Sequence, residues 1–389
     1  MKWSGSFPFA PVFAGALALA LLMTIAPAAV VAQQRVINTE IGPIQVEAIA
    51  RGLEHPWALA SLPDGRMLVT ERVGRLRLVG EDGTLSDPID GVPAVFAQSQ
   101  GGLLDVALDP DFASNRLVYL SYAEAGEGGA STAVARGRLN GEATALEDAR
   151  VIFRQQPKVS GGAHFGSRLV FAPGGTLFVT LGERFKFDPA QDLSDHLGTI
   201  VRIHPDGTVP SDNPFVDRED AKPEIWSYGH RNVQGAALHP QTGKLWTHEF
   251  GPRGGDALNI PEAGRNHGWP LVSYGRHYNM QDIPDPPTRP EFAQPIYHWT
   301  PAISPSGMTF YTGELFPEWR GNILIGGLSS QALIRLTVEG ETVTDEERID
   351  MGARIREVHQ GNDGAVYLLT DKPDGEILRL TPAEGRRRG

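Results

Sequence analysis

Residues Glu224 to Trp269 read EIWSYGHRNVQGAALHPQTGKLWTHEFGPRGGDALNIPEAGRNHGW. A turn from Pro240 through Gly243 leads into a β-rich strand, Leu245-Trp246-Thr247, and a second segment, Ala257-Leu258-Asn259-Ile260, follows a glycine-proline turn. Apolar-polar alternation of this kind sets one face of a strand toward a core and the other toward solvent. The polar residues gather at the strand ends: His230, Arg231 and Asn232 on one side, Glu249, Gly251 and Pro252 on the other. Strands hold such turns rigidly, and turns carry chemistry.

The same order recurs along the chain. Pro63-Asp64-Gly65 runs into Met67-Leu68-Val69-Thr70, Asp109 through Asn115 into Leu117-Val118-Tyr119-Leu120, and Pro173-Gly174-Gly175 into Leu177-Phe178-Val179-Thr180. Pro317 through Asn322 leads to Ile323-Leu324-Ile325, and Asn362-Asp363-Gly364 to Val366-Tyr367-Leu368-Leu369. A second, often alternating strand follows each, as in Arg75-Leu76-Arg77-Leu78 and Ile377-Leu378-Arg379-Leu380. Six units of about 60 residues suit four-stranded blades with their loops. The predicted fold is therefore all-β: a six-bladed β-propeller of four-stranded antiparallel blades, with a pair of β-sandwiches as the less fitting alternative. The 45 Gly and 30 Pro serve as turn formers. The proline-rich stretch Ile283 to Pro295 reads as a long excursion between blades, and long ordered loops are commonly functional.

Composition narrows the function. The net charge of −12 disfavours a nucleic-acid partner, because affinity there comes from clustered Lys and Arg neutralising phosphates. With no cysteine, disulfides, thiolate metal sites and Cys nucleophiles are excluded. Residues 1–32 carry Lys2, an apolar run from Val12 to Ile25 and small residues ending at Ala32, the pattern of an export signal. Cleavage after Ala32 is expected, with a retained anchor as the alternative; no stable membrane insertion follows from the remainder. Residues 33–382 then form the propeller, residues 383–389 a basic tail with Arg386, Arg387 and Arg388, and the location is periplasmic or secreted.

Several polar groups are candidates for chemistry. His164 lies among glycines in Gly161-Gly162-Ala163-His164-Phe165-Gly166, where it is either a general base near neutral pH or a structural histidine. Arg231 and Asn232 offer donors to a carboxylate or a developing oxyanion, or else lock neighbouring blades together. Alternation turns Arg354 and Arg356 to one side of a strand, which requires an anion between them or solvent around them. Carbonyls at Glu249-Phe250-Gly251-Pro252 are hard oxygen ligands of the kind calcium accepts, although the motif alone is also an ordinary turn. Gln100, before Gly101-Gly102, is a further polar candidate. The chain has no Gly-x-Ser-x-Gly elbow, His-Glu-x-x-His helix, phosphate loop or nucleotide-binding glycine fingerprint.

Taken together, His55-Pro-Trp-Ala58, Gln100-Gly-Gly-Leu-Leu-Asp105, His164-Phe-Gly166, Ala190-Gln-Asp-Leu193 through Gly198, Gly229-His-Arg-Asn232, Glu249-Phe-Gly-Pro252, Asn266-His-Gly-Trp-Pro270, Pro301-Ala-Ile-Ser304 and Arg354-Ile-Arg356 form an ordered series. In that order they resemble the soluble aldose (glucose/sorbosone) dehydrogenase family, six-bladed propellers that use pyrroloquinoline quinone (PQQ) and calcium. The resemblance spans roughly Gly52 to Pro382. It implies oxidation of an aldose sugar at the anomeric carbon to a lactone, with electrons passed to an external acceptor such as a cytochrome or a quinone. By position, His164 resembles the family's base and Arg231 the residue facing the quinone oxygen; Gln100, Asn232, Tyr278, Arg354 and Arg356 resemble cofactor or substrate contacts. The carbonyls of Gly251 and Pro252 resemble calcium ligands. The excursion from Tyr274 to His298 is where sugar preference is expected to lie.

Two departures stand out. Leu328-Ser329-Ser330 replaces a segment in which many members carry a lysine toward the cofactor, and Ala257 and His267 occupy positions used elsewhere for a second calcium, which is expected to be absent or altered. Two alternatives remain open: a calcium-dependent sugar lactonase on a similar propeller, and a non-catalytic carbohydrate-binding propeller.

Overall fold

The computed structural model describes residues 1–6, 8 and 34–383. The chain divides into two compact units, Met1–Ala32 and Gln33–Gly389, and the sheets all lie in the second. The expected export signal and the basic tail fall on positions largely outside the described residues. No helix among the described residues is long and apolar enough to cross a membrane.

Six antiparallel sheets follow one another along the chain. Their inner strands are Pro56–Ser61, Leu103–Leu108, Leu169–Phe171, Val233–Leu238, Pro305–Phe310 and Ile355–Gln360. The apolar runs recognised in the sequence form the second strand of each sheet, and the segments after them form the third. Second strands such as Met67–Glu71 and Leu177–Thr180 are buried throughout because a blade packs on a neighbour through each face, so both faces must be apolar.

The hydrophobic core is correspondingly divided among the blade interfaces. Leu68 and Leu76 of the first blade pack with Leu103 and Val118 of the second. Tyr119 and Val134 of the second pack with Leu177 and Val201 of the third, and Phe178 and Ile200 with Ala236 and Leu245 of the fourth. Trp246 and Leu258 meet Phe310 and Ile325 of the fifth; Leu324 and Leu333 meet Val358 and Leu368 of the sixth. Leu369 and Ile377 return to Leu59 and Val69 of the first, which closes the ring. The protein is a six-bladed β-propeller.

Four blades have four strands; the other two differ at their outer edges. The first blade has three strands, with Val79 bridged to Leu85 beyond them. The sixth has five, because Gly42–Leu53 pairs with the C-terminal strand Gly375–Pro382 and Gln34–Thr39 adds outside it. The proline-rich excursion is not between blades. It lies within the fourth, between its third strand Asp256–Asn259 and its fourth, Tyr297–Trp299. The recurring turns, including Pro63-Asp64-Gly65, join first strands to second, whereas Gln100, His164, Arg231 and Asn232 lie in the segments leading into inner strands. The turns that reveal the repeat are thus at the opposite strand ends from the candidate chemistry.

Candidate active site

His164 is held before the inner strand of the third blade by its neighbours' backbones and side chains. Its φ of 57° lies in the left-handed region, uncommon without glycine. Its N–H donates to Gln100 Oε1 at 2.8 Å, and its carbonyl accepts from Arg184 N at 3.3 Å. Gly182 permits this approach, since a Cβ there would fall 2.1 Å from the His164 carbonyl oxygen.

The imidazole Nδ1 lies 2.6 Å from Oε1 of the fully buried Glu183. A carboxylate accepts hydrogen bonds, so Nδ1–H donates and Nε2 keeps its lone pair. Burial holds the His164 pKa below the ordinary histidine value; the hydrogen bond to Glu183 raises it, and the positive charge of Arg231 lowers it further. The ring is therefore neutral at pH 7, as a base must be before it acts.

Arg231 enters from the fourth blade. Its N–H donates to Glu249 Oε2 at 2.6 Å, Nη1 to the carbonyls of Phe250 and Gly251 at 3.1 and 2.8 Å, and Nη2 to the Tyr278 hydroxyl at 3.1 Å. The guanidinium stands over Trp269, 5.2 Å from its ring centroid. Beside it, Asn232 Oδ1 accepts from Gly166 N at 3.0 Å, tying the fourth blade to the His164 loop. Thus Gln100, His164, Arg231, Asn232 and Tyr278 form one linked group. Sequence reasoning offered two readings for Arg231 and Asn232; the Asn232 side chain and the Arg231 carbonyl, which accepts from Glu183 N, do lock the third and fourth blades, yet each side chain also retains an unused donor.

Arg356 and Arg354 meet an anion that belongs to the chain itself. Arg356 Nη2 donates to Asp371 Oδ2 at 2.7 Å and Nη1 to Gln234 Oε1 at 3.0 Å, while Arg354 reaches the same Asp371 oxygen at 3.4 Å. Burial raises the Asp371 carboxyl, but Arg356, His55 and Arg354 outweigh it and hold the group well below the usual carboxylate range. Arg356 is buried, whereas about half of the Arg354 side chain is open to solvent (47% exposed). At the position of the replaced lysine, Ser329 Oγ donates to the Ala302 carbonyl, and Arg354 Nη1 lies 3.4 Å from the neighbouring Leu328 carbonyl.

The polar atoms left over have a common character. Arg231 Nε, Asn232 Nδ2, Arg184 Nη1 and Trp269 Nε1 are buried donors without partners. Leaving such groups unpaired is unfavourable, and an acceptor-rich anionic ligand satisfies them. This donor set fits a polycarboxylate quinone. For a cation, the Gly251 carbonyl already accepts from Arg231 but keeps a second lone pair, so it can serve both. Among the described residues no group of three or more His, Asp and Glu side chains is arranged to hold a metal ion. His267 stacks on His230 at 4.3 Å between ring centroids, with burial holding its pKa well below the ordinary value. With Ala257 it lines a cavity of about 40 Å³ in which the Glu249 carboxylate is already bound by Arg231 N and Asn259.

Sequence reasoning missed Glu183, Asp371, Trp269 and Phe185. A signal for the acids exists: Glu71, Glu183, Glu249 and Asp371 all stand at or just beyond the end of a second strand. Each accepts from a residue at the entry of an inner strand.

Comparisons with known proteins agree with this arrangement. The family profile described as Glucose / Sorbosone dehydrogenase matches residues 53–379. Aldose sugar dehydrogenase YliI of Escherichia coli (strain K12) is 47% identical over 347 residues, covering 87% of this chain and 93% of that protein. A solved glucose dehydrogenase superposes with a TM-score of 0.83 at 53% identity, covering 86% of this chain and 98% of the other. The PQQ-bound form of an aldose sugar dehydrogenase from Streptomyces coelicolor gives 0.71 at 28% identity, over 87% and 98% of the two chains. The chain belongs to the glucose/sorbosone dehydrogenase family.

Proposed function

We propose that the protein oxidises aldose sugars at the anomeric carbon to lactones, using PQQ and calcium and passing electrons to an external acceptor. The observation that carries this reading is the buried His164–Glu183 pair together with the unpartnered donors on Arg231 and Asn232, the latter tied to the His164 loop. His164 Nε2 takes the proton of the anomeric hydroxyl, and Glu183 stabilises the imidazolium that results. Bound PQQ, polarised by calcium, supplies the acceptor for the anomeric hydride. Arg231 and Asn232 would offer their free N–H groups to that anionic ligand, with Gln100, Tyr278, Arg354 and Arg356 as further contacts, and the carbonyls of Gly251 and Pro252 would hold the calcium. Export to the periplasm or beyond, inferred from residues 1–32, suits an enzyme that hands electrons to an acceptor outside the cytoplasm.

The lactonase alternative needs free side-chain carboxylates around a metal. Here Glu183, Glu249 and Asp371 are taken by His164, Arg231 and Arg356. The test is reconstitution of the purified protein with PQQ and calcium, following dye reduction over a panel of aldoses. Turnover that requires PQQ is expected, and His164→Ala should abolish it while PQQ still binds. Absence of PQQ-dependent turnover with every aldose overturns the proposal.

A further inference from the structure

Residues Arg184, Phe185 and Phe187 have φ of 58°, 60° and 65°. Three non-glycine residues in the left-handed region within four positions are disfavoured unless their surroundings impose the shape. Glu183 does so, its Oε2 accepting from the backbone N–H groups of Lys186 and Phe187 while Oε1 holds His164. Arg184 is pinned as well: Nη2 donates to the Gly161 carbonyl at 2.7 Å, and the guanidinium lies 3.6 Å from the Phe165 ring centroid.

The result is an aromatic ring set out at the mouth of the site. Phe185 is 43% exposed, with its centroid 5.0 Å from that of His164 and 6.1 Å from that of Tyr278, whose hydroxyl meets Arg231. Phe187 supports it at 5.2 Å and is in turn packed near Trp269. Folding alone gives no reason to hold a large apolar ring half in water by a disfavoured backbone.

We propose that Phe185 is a specificity-determining substrate contact, the surface on which the C–H face of a pyranose stacks while its anomeric hydroxyl meets His164. The inference rests on the sugar-oxidation reading and adds the residue that selects the sugar. A π-face is electronegative and favours polarised C–H groups. Pyranoses whose hydroxyls are equatorial offer such a face, and an axial hydroxyl directed at the ring removes it. The carboxylate that holds the base thereby also holds the platform.

The experiment titrates anhydroglucitol, a pyranose without the anomeric hydroxyl, into the purified protein with PQQ and calcium present and dye omitted. Phe185→Gly and Phe185→Ala are expected to weaken binding about tenfold, and Phe185→Trp to stay within about threefold of wild type. In turnover, the glycine variant should raise the sugar KM by a similar factor and leave kcat within about twofold. Its melting temperature should not fall, because glycine accepts the left-handed backbone; a merely structural role predicts the reverse. Equal affinity in wild type and Phe185→Gly, or an altered KM for the dye in place of the sugar, overturns the proposal. If the wild type oxidises no aldose, the sugar-oxidation reading fails, and the titration still decides whether Phe185 binds the ring.

Discussion

Glu183→Gln removes the charge behind His164 at nearly constant side-chain volume. The carboxylate oxygen is 2.6 Å from Nδ1, and both side chains are buried. With charge centres about 4 Å apart and an effective dielectric of about 20, the carboxylate stabilises an imidazolium by about 4 kcal/mol. Glutamine can still accept from Nδ1–H through its oxygen, but its amide nitrogen then meets the backbone N–H groups of Lys186 and Phe187, so the lost charge, felt as the base takes up its proton, comes together with two lost acceptor contacts. At about 1.36 kcal/mol per decade, kcat should fall between about 10²- and 10³-fold. The pH profile gives an independent check. Activity needs neutral His164, whose pKa is already below the ordinary value because of burial. Glu183 raises it, so the variant's pKa drops further and the acid limb of kcat moves to lower pH. Stopped-flow reduction of reconstituted protein across pH measures both quantities. A kcat within about threefold of wild type, or an acid limb that stays put or moves upward, refutes the assignment.

Two further outcomes follow from the surroundings of the site. Asp105 and Glu357 share Arg168 on the propeller axis, and burial raises both carboxyls, Glu357 to about 7. The folded protein then keeps a proton that the unfolded chain, with a pKa of about 4.3, has lost, so this stabilisation is full below that value and disappears as pH rises through 7. Glu357 therefore contributes a decline in melting temperature between about pH 5 and pH 8, offset below about pH 6.5 by the buried His248 and His359, which burial lowers to about 3 and about 4. Glu357→Gln should lessen the decline relative to wild type, and an unchanged slope would exclude Glu357 as a source. Asp195, also raised to about 7 by burial, leaves a residual slope. Gly182→Ala would place a Cβ 2.1 Å from the His164 carbonyl oxygen and 3.1 Å from Asn232 Oδ1. Displacing the base by about 1 Å should lower activity by about 10²-fold with the circular dichroism spectrum unchanged, and full activity would show that the loop can yield.

The parts of the fold legible in sequence are those whose environment is uniform. Leu177–Thr180 has neighbours on both faces and spells a continuous apolar run; Arg75–Val79 alternates in sequence, and its Leu76 and Val79 are buried while Arg75, Arg77 and Leu78 are partly exposed. The inner strands were obscured because they border the axis, where Asp105, Gln234, Arg356 and Glu357 interrupt the apolar pattern with buried polar groups. Pro305 opens the fifth inner strand and Ser306 donates to the Arg356 carbonyl there, although the surrounding PAISPSG reads as a broken loop. The excursion in the fourth blade was misplaced for a related reason: its outer strand, Tyr297–Trp299, is only three residues long.

At the site, His164, Arg231, Asn232 and Gln100 were visible because they adjoin glycines or one another. Glu183 was not, because its relation to His164 crosses from the second strand of a blade to the entry of its first. Phe185 gave no signal at all. An aromatic residue after an arginine reads as core, and only the backbone conformation shows that it is held outward.

The pairing of Gly42–Leu53 with Gly375–Pro382 also governs how the ring is made and lost. Partners so distant in sequence meet only after the intervening blades have formed, which makes closure a non-local and therefore slow event. Until then Gly42–Leu53 and the C-terminal strand of the sixth blade each present an unpaired edge, the surface through which chains aggregate. Once sealed, the circle has no free end from which blades can peel one at a time. Unfolding must begin by tearing this seam, so the persistence of the native ring is set by an opening rate at a place far from its chemistry.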